Sequence, residues 1–175
     1  MKNLGSFLIL GLLTINLSGC VSVGPKEVPV IKSTDLPVIV MKSLTPRIID
    51  LAVSNKRKIN QEVGNSEAVA ERISAVLAAS LAQSNIAIDP GAKTRLTVEI
   101  SDYNQTQDQG ECVQLQATCK LRGGSFSVKS YSCYQFKNPI FGFTMGGDIS
   151  EAYQGGLKNL INAINEQALL YDNWF

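Results

Sequence analysis

The stretch Val113-Gln114-Leu115-Gln116-Ala117-Thr118-Cys119-Lys120-Leu121-Arg122-Gly123-Gly124-Ser125 alternates apolar and polar side chains up to a glycine pair. Period-two alternation is the pattern of a strand with one buried and one wet face. Val113, Leu115, Ala117, Cys119 and Leu121 take the buried side, and Gln114, Gln116, Thr118 and Lys120 the other. Gly123-Gly124 marks a tight hairpin turn, because both positions tolerate positive φ. The returning strand spans about Ser125 to Phe136. Upstream, Leu96, Val98 and Ile100 alternate with Thr97, Glu99 and Ser101, and the polar segment 104–110 connects the two runs. Three antiparallel strands in succession therefore form the centre of the fold.

Working outward, the clearest helix runs from about Ser66 to Ala82. Val69, Ile73, Val76, Leu77 and Leu81 recur at helical spacing, and Glu67 sits in the first turn, where the helix dipole favours it. Asn85 ends it, and Asp89-Pro90-Gly91-Ala92 forms a turn. A second helix is expected near Asp148, with Glu151 completing a capping pair and Leu157, Leu160, Ile161, Ile164 and Ala168 as its buried stripe. Gly155-Gly156 inside it costs about 1 kcal/mol per glycine relative to alanine, which implies a close helix–sheet approach or a break. Before the first helix, Leu36-Pro37-Val38-Ile39-Val40-Met41 reads as a buried strand and Arg47 to Val53 as another, separated by Thr45-Pro46. Val28-Pro29-Val30-Ile31 has the composition of an edge strand. The expected fold is α+β: one domain with an antiparallel sheet of about four to five strands packed by two helices.

Composition excludes more than it specifies. The chain has 175 residues, 16 Lys+Arg against 15 Asp+Glu, four cysteines and no histidine. Without histidine there is no Ser-His-Asp or Cys-His nucleophile, no imidazole base and no His-containing zinc site. Near-neutral charge argues against a nucleic-acid partner, which needs a clustered basic face. Lys56-Arg57-Lys58 is a short basic run read as a solvated loop. Gly123-Gly124 and Gly146-Gly147 lack the spacing and lysine of a phosphate-binding loop. No cofactor, metal site or catalytic motif is recognisable, so the reading is a non-enzyme.

The N-terminus carries the strongest local signal. Lys2 precedes an apolar run, Phe7 to Leu13, of the length of a signal-peptide core, too short for a membrane span. Leu17-Ser18-Gly19-Cys20 then places small residues before a cysteine. This segment resembles the lipobox of bacterial lipoprotein precursors, which reads aliphatic, small, small, Cys. The resemblance implies cleavage between Gly19 and Cys20, with Cys20 carrying a thioether-linked diacylglyceryl group and an amide-linked acyl chain. Several acyl chains anchor stably, where one alone is marginal. Val21 follows the cysteine instead of Asp, which by the same resemblance implies sorting to the outer membrane with the domain facing the periplasm. The expected organisation is a signal peptide (1–19), a lipidated extended tether (20–35) and a periplasmic domain (36–175). The processed chain would have 156 residues with 15 basic and 15 acidic side chains.

Three cysteines then remain, and an exported chain meets an oxidising compartment, so one disulfide plus one thiol is expected. With Gly123-Gly124 as the loop, Cys112 lies one diagonal from Cys133 on the same polar face, and a one-residue shift would set them opposite. This favours a Cys112–Cys133 bridge, with Cys119 facing the core. The competing pair is Cys112–Cys119, which needs a bend in the strand.

Two apolar features suggest a partner. The 140–145 loop with Phe141 and Phe143, and the tail with Trp174 and Phe175, place aromatics where loops and termini normally sit on the surface. The alternative is that both fold back over the core. The order of elements from about Leu36 to Gln167 resembles small Gram-negative envelope lipoproteins of the YajG-like type. The function expected is an accessory or assembly factor of an envelope complex, acting by binding an envelope protein, with membrane lipid engaged through acylated Cys20. A lipid or small-ligand carrier is the second reading and predicts an apolar pocket between sheet and helices. An enzyme is the third and predicts converging carboxylates or an exposed Cys119.

Overall fold

In a computed structural model of the chain, residues 28–42, 44–57, 66–102, 112–133 and 149–172 are described. Five strands and two helices follow in the order β1 (Ile48–Asn55), α1 (Ser66–Gln83), β2 (Ala87–Ile88), β3 (Arg95–Asp102), β4 (Cys112–Leu121), β5 (Gly124–Cys133) and α2 (Ile149–Asp172). The strands form one sheet in the order β2-β1-β3-β4-β5. Both helices cover the same face of it, giving the α+β single domain that the sequence implies. The sheet is mostly antiparallel, through β3–β4 and β4–β5. It is parallel where β1 pairs with β2 and β3. The reason is α1, which serves as the crossover that returns the chain to the end where β1 began.

The apolar stripes read from the sequence are the core. Val69, Ile73, Val76, Leu77 and Leu81 of α1 are buried, as are Leu157, Leu160, Ile161, Ile164 and Ala168 of α2. They meet Leu96, Val98, Ile100, Val113, Leu115, Ala117 and Cys119 of the sheet. Asn85 stops α1 with a positive φ of 55°. The Ile86 amide donates to the Leu81 carbonyl and the Asn85 amide to Ala82, a Schellman-type C-cap. Gly155 and Gly156 mark a close helix–sheet approach within a continuous helix. A Cβ on Gly155 would lie 2.6 Å from Ser132 Oγ, and one on Gly156 would lie 3.2 Å from Leu115 Cδ1. Asp148 lies outside the described residues, so the expected cap at that helix start is not described.

Three local expectations are corrected. The hairpin loop is Arg122-Gly123, because Leu121 pairs with Gly124. Gly124 is an in-strand residue that lies against the Tyr171 hydroxyl, which would have to shift to admit a Cβ. The second correction concerns Leu36 to Met41, which is buried at Leu36, Ile39 and Met41 but forms no strand. Val28 to Ile31 is likewise outside the sheet. The third is Arg57, which is not solvated: its side chain is 14% exposed, in an ion pair with Asp102. Lys58 lies outside the described residues.

Candidate functional site

The segment 28–41 is a strap that runs along the seam between the two helices, parallel to both. Its backbone groups bond to helix side chains instead of a neighbouring strand. On α2, Ser150 Oγ accepts from the Val30 amide at 2.9 Å. Gln154 grips Lys32 twice, accepting from its amide at 2.9 Å and donating to its carbonyl at 3.0 Å. Asn165 accepts from the Val40 amide and donates to the Val38 carbonyl, both at 2.8 Å. A carboxamide offers one acceptor and one donor side by side, so each of these two residues imitates one rung of a ladder. On α1, Arg72 donates to the Ile31 carbonyl at 3.1 Å. Ser80 Oγ accepts from the Ile39 amide and donates to the Pro37 carbonyl, and Ser84 Oγ donates to the Ile39 carbonyl. Ile31, Leu36, Ile39 and Met41 anchor the strap in the core.

This strap fixes where the preceding chain enters the domain. Val30 meets α2 at its first turn, beside the ends of β4 and β5 that Cys112 and Cys133 occupy. A disulfide joins Cys112 to Cys133, with Cα atoms 4.0 Å apart. The one-residue shift of the hairpin loop puts the two cysteines directly opposite each other. At the same end, Arg57 Nε donates to Asp102 Oδ1 at 3.0 Å and Nη1 reaches the Tyr153 hydroxyl at 3.4 Å. Burial works against the guanidinium charge, but Tyr153 and Asp102 more than offset it and hold its pKa above the ordinary value. The cluster ties the end of β1 to β3 and to α2. Lys56 pairs with Glu99 on the exposed side. At about 1.5 Å per residue, α2 carries the chain roughly 35 Å to the opposite end.

That opposite end holds an open cleft of about 320 Å³, lined by Leu44, Thr45, Thr94, Leu121, Arg122, Gly123 and Tyr171. It lies beside the hairpin loop. In the sheet–helix interface Ile73, Leu77, Leu115, Leu157 and Ile161 are fully buried. Cys119 is a free thiol within this core, and burial pushes its pKa up to about 12. Such a thiol carries almost no thiolate at neutral pH and is no nucleophile.

Of the residues singled out from the sequence, Cys112 and Cys133 are brought together. Gly19, Cys20, Phe141, Phe143, Trp174 and Phe175 lie outside the described residues. The sequence reading missed Gln154, Asn165, Ser80 and Ser84. Ser80 had a signal, because it falls in helical register with Ile73, Leu77 and Leu81 and is buried. No helix among the described residues is long and apolar enough to cross a membrane. In comparisons with known proteins, no family model and no curated protein sequence matches the chain.

Proposed function

We propose that this chain is an outer-membrane lipoprotein, anchored through acylated Cys20, whose periplasmic domain acts by binding a protein of the envelope. The observation that carries the reading is Leu17-Ser18-Gly19-Cys20 after a short apolar run. Support comes from the Cys112–Cys133 disulfide, which is the expected state of cysteines in an oxidising compartment. Further support comes from the strap. Only residues 21–29 separate Cys20 from the first clamp at Val30, a span of about 30 Å when extended. An anchor at Cys20 would therefore keep the disulfide end of the domain within about 30 Å of the membrane.

The buried Cys119 favours binding over a thiol enzyme. Crosslinking in the native envelope, followed by capture of the protein, tests this reading. A specific protein partner is expected. Substituting Phe141, Phe143 and Trp174 by polar residues then separates docking residues from core residues. A folded variant that loses the partner identifies the patch, whereas loss of folding assigns the three to the core. Recovery of a bound lipid or small molecule without a protein partner would overturn the reading in favour of a carrier.

A further inference from the structure

Two cations face each other at the hairpin end of the sheet. Arg95 and Lys120 are direct partners in the β3–β4 register, and both are exposed. Like charges set directly opposite work against strand pairing. Two residues further out along the same face stand Lys93 and Arg122, also exposed. This block belongs to a chain with 16 basic and 15 acidic residues, so it is a segregation of charge and not a general excess. Little offsets it locally. Arg95 donates to Asp50 Oδ2 at 2.7 Å, whereas Lys93, Lys120 and Arg122 have no ion pair among the described residues. Asp89, in the turn that leads to Lys93, accepts from the Gly91 amide at 3.0 Å. The chain on either side of the block is described, through 89–94 into β3 and through Arg122-Gly123 into β5.

The block borders the open cleft of about 320 Å³, and Arg122 belongs to both. Strand alternation turns Thr94 and Leu121 to the other side of the sheet from Arg95 and Lys120, where they line the cleft with Leu44 and Tyr171. A volume of this order admits a small ligand. An anionic group held by Arg122 therefore leaves room for an organic portion against Leu44, Leu121 and Tyr171, with Thr45 and Thr94 as hydroxyl-bearing walls.

We infer that the hairpin end is a binding site for a small phosphate monoester, its phosphate on Arg122 flanked by Lys93 and Lys120 and its organic part in the cleft. Phosphate fits the charge count. A monoester carries about −1.5 to −2 at neutral pH on three acceptor oxygens, whereas one carboxylate would leave most of the unpaired cations unanswered. A guanidinium meets phosphate oxygens bidentately, and lysines add point charges beside it. A polynucleotide needs a basic face that follows several phosphates along its length, which a block of this size does not supply. The inference goes beyond the reading of the domain as a protein-binding module and does not depend on it.

The test uses the detergent-solubilised full chain with phenyl phosphate as the probe. Binding is expected to shift the amide signals of Arg122 and Gly123 and to raise the denaturation midpoint. Benzoate should bind about tenfold more weakly, and Arg122→Gln should weaken phenyl phosphate by about the same factor. Inorganic phosphate should bind less tightly than phenyl phosphate, because it does not use the cleft. Lys158→Gln, on the exposed face of α2, should leave binding unchanged. Lys120→Gln supplies a readout that a structural lysine would not move in this direction. It removes the charge opposite Arg95, so the unliganded protein should become more stable while phenyl phosphate binds more weakly. Phosphatidic acid doped into the micelles identifies the source: displacement of phenyl phosphate assigns a lipid headgroup, and no displacement a soluble ester. Absence of phenyl phosphate binding at millimolar concentration, equal binding of benzoate or inorganic phosphate, or indifference to Arg122→Gln would overturn the inference. So would equal sensitivity to Lys158→Gln, or a loss of stability in Lys120→Gln.

Discussion

Asn165→Ala tests whether the strap is held by side-chain clamps. Asn165 makes two hydrogen bonds of 2.8 Å to the strap backbone, each worth about 1 kcal/mol net. Val40 is exposed and Val38 half-buried, so water can reach the freed groups and the loss stays near 2 kcal/mol in place of the larger penalty for a buried orphan. Alanine improves helix propensity over asparagine by roughly 0.5 kcal/mol, leaving an expected net destabilisation of about 1.5 kcal/mol. The internal controls are Asn159→Ala and Asn162→Ala, the same change at exposed positions of the same helix. Both gain propensity and lose no strap contact, so they should be neutral or slightly stabilising. Denaturant midpoints at constant slope report the difference. Amide exchange at Val40 reports the mechanism, since an exposed residue with a slowly exchanging amide requires a specific acceptor. Equal stability of Asn165→Ala and Asn159→Ala, or unchanged exchange at Val40, would refute the clamp.

Three further outcomes follow from the geometry. Reducing the Cys112–Cys133 bridge, whose ends are 21 residues apart, should lower stability by about 3 kcal/mol, measured by denaturation with and without reductant. Cys119 should resist a thiol reagent at pH 8 in the folded chain and react at once in denaturant. Its folded pKa lies above the ordinary value near 9, so the protonated form is the one folding favours. Its contribution is intact below pH 9 and lost as pH rises toward 12, and Cys119→Ala should flatten stability over that window. Arg57→Met leaves the Asp102 carboxylate, 13% exposed, without its guanidinium and should cost about 2–3 kcal/mol. Arg57→Lys should restore only part of this, because one ammonium cannot reach both Asp102 and Tyr153 in the guanidinium geometry.

What the sequence disclosed was what periodicity encodes. The stripes of α1 and α2 and the alternation of β3 and β4 each depend on neighbours a few residues apart, and all of them reached the core. The strap did not read correctly because Leu36 to Met41 has the apolar composition of a strand while its hydrogen-bond partners, Asn165 and Ser80, lie far away on helices. Composition reports burial and is silent about who satisfies the backbone. The direction of β1 was hidden for a related reason, since alternation is the same in parallel and antiparallel pairs. The hairpin register places Gly124 in the strand, against the Tyr171 hydroxyl from the far end of α2, and not in the turn. Arg57 looked like part of a charge run because nothing local distinguishes it from Lys56. Its partners, Asp102 and Tyr153, are supplied by the fold.

The intact mass of the protein extracted from its native membrane tests the central proposal most directly. The proposal predicts a chain beginning at Cys20, heavier than its sequence by a diacylglyceryl group and an amide-linked acyl chain, with one disulfide and one free thiol. A chain that retains residues 1–19, or one that begins elsewhere with Cys20 unmodified, would contradict it.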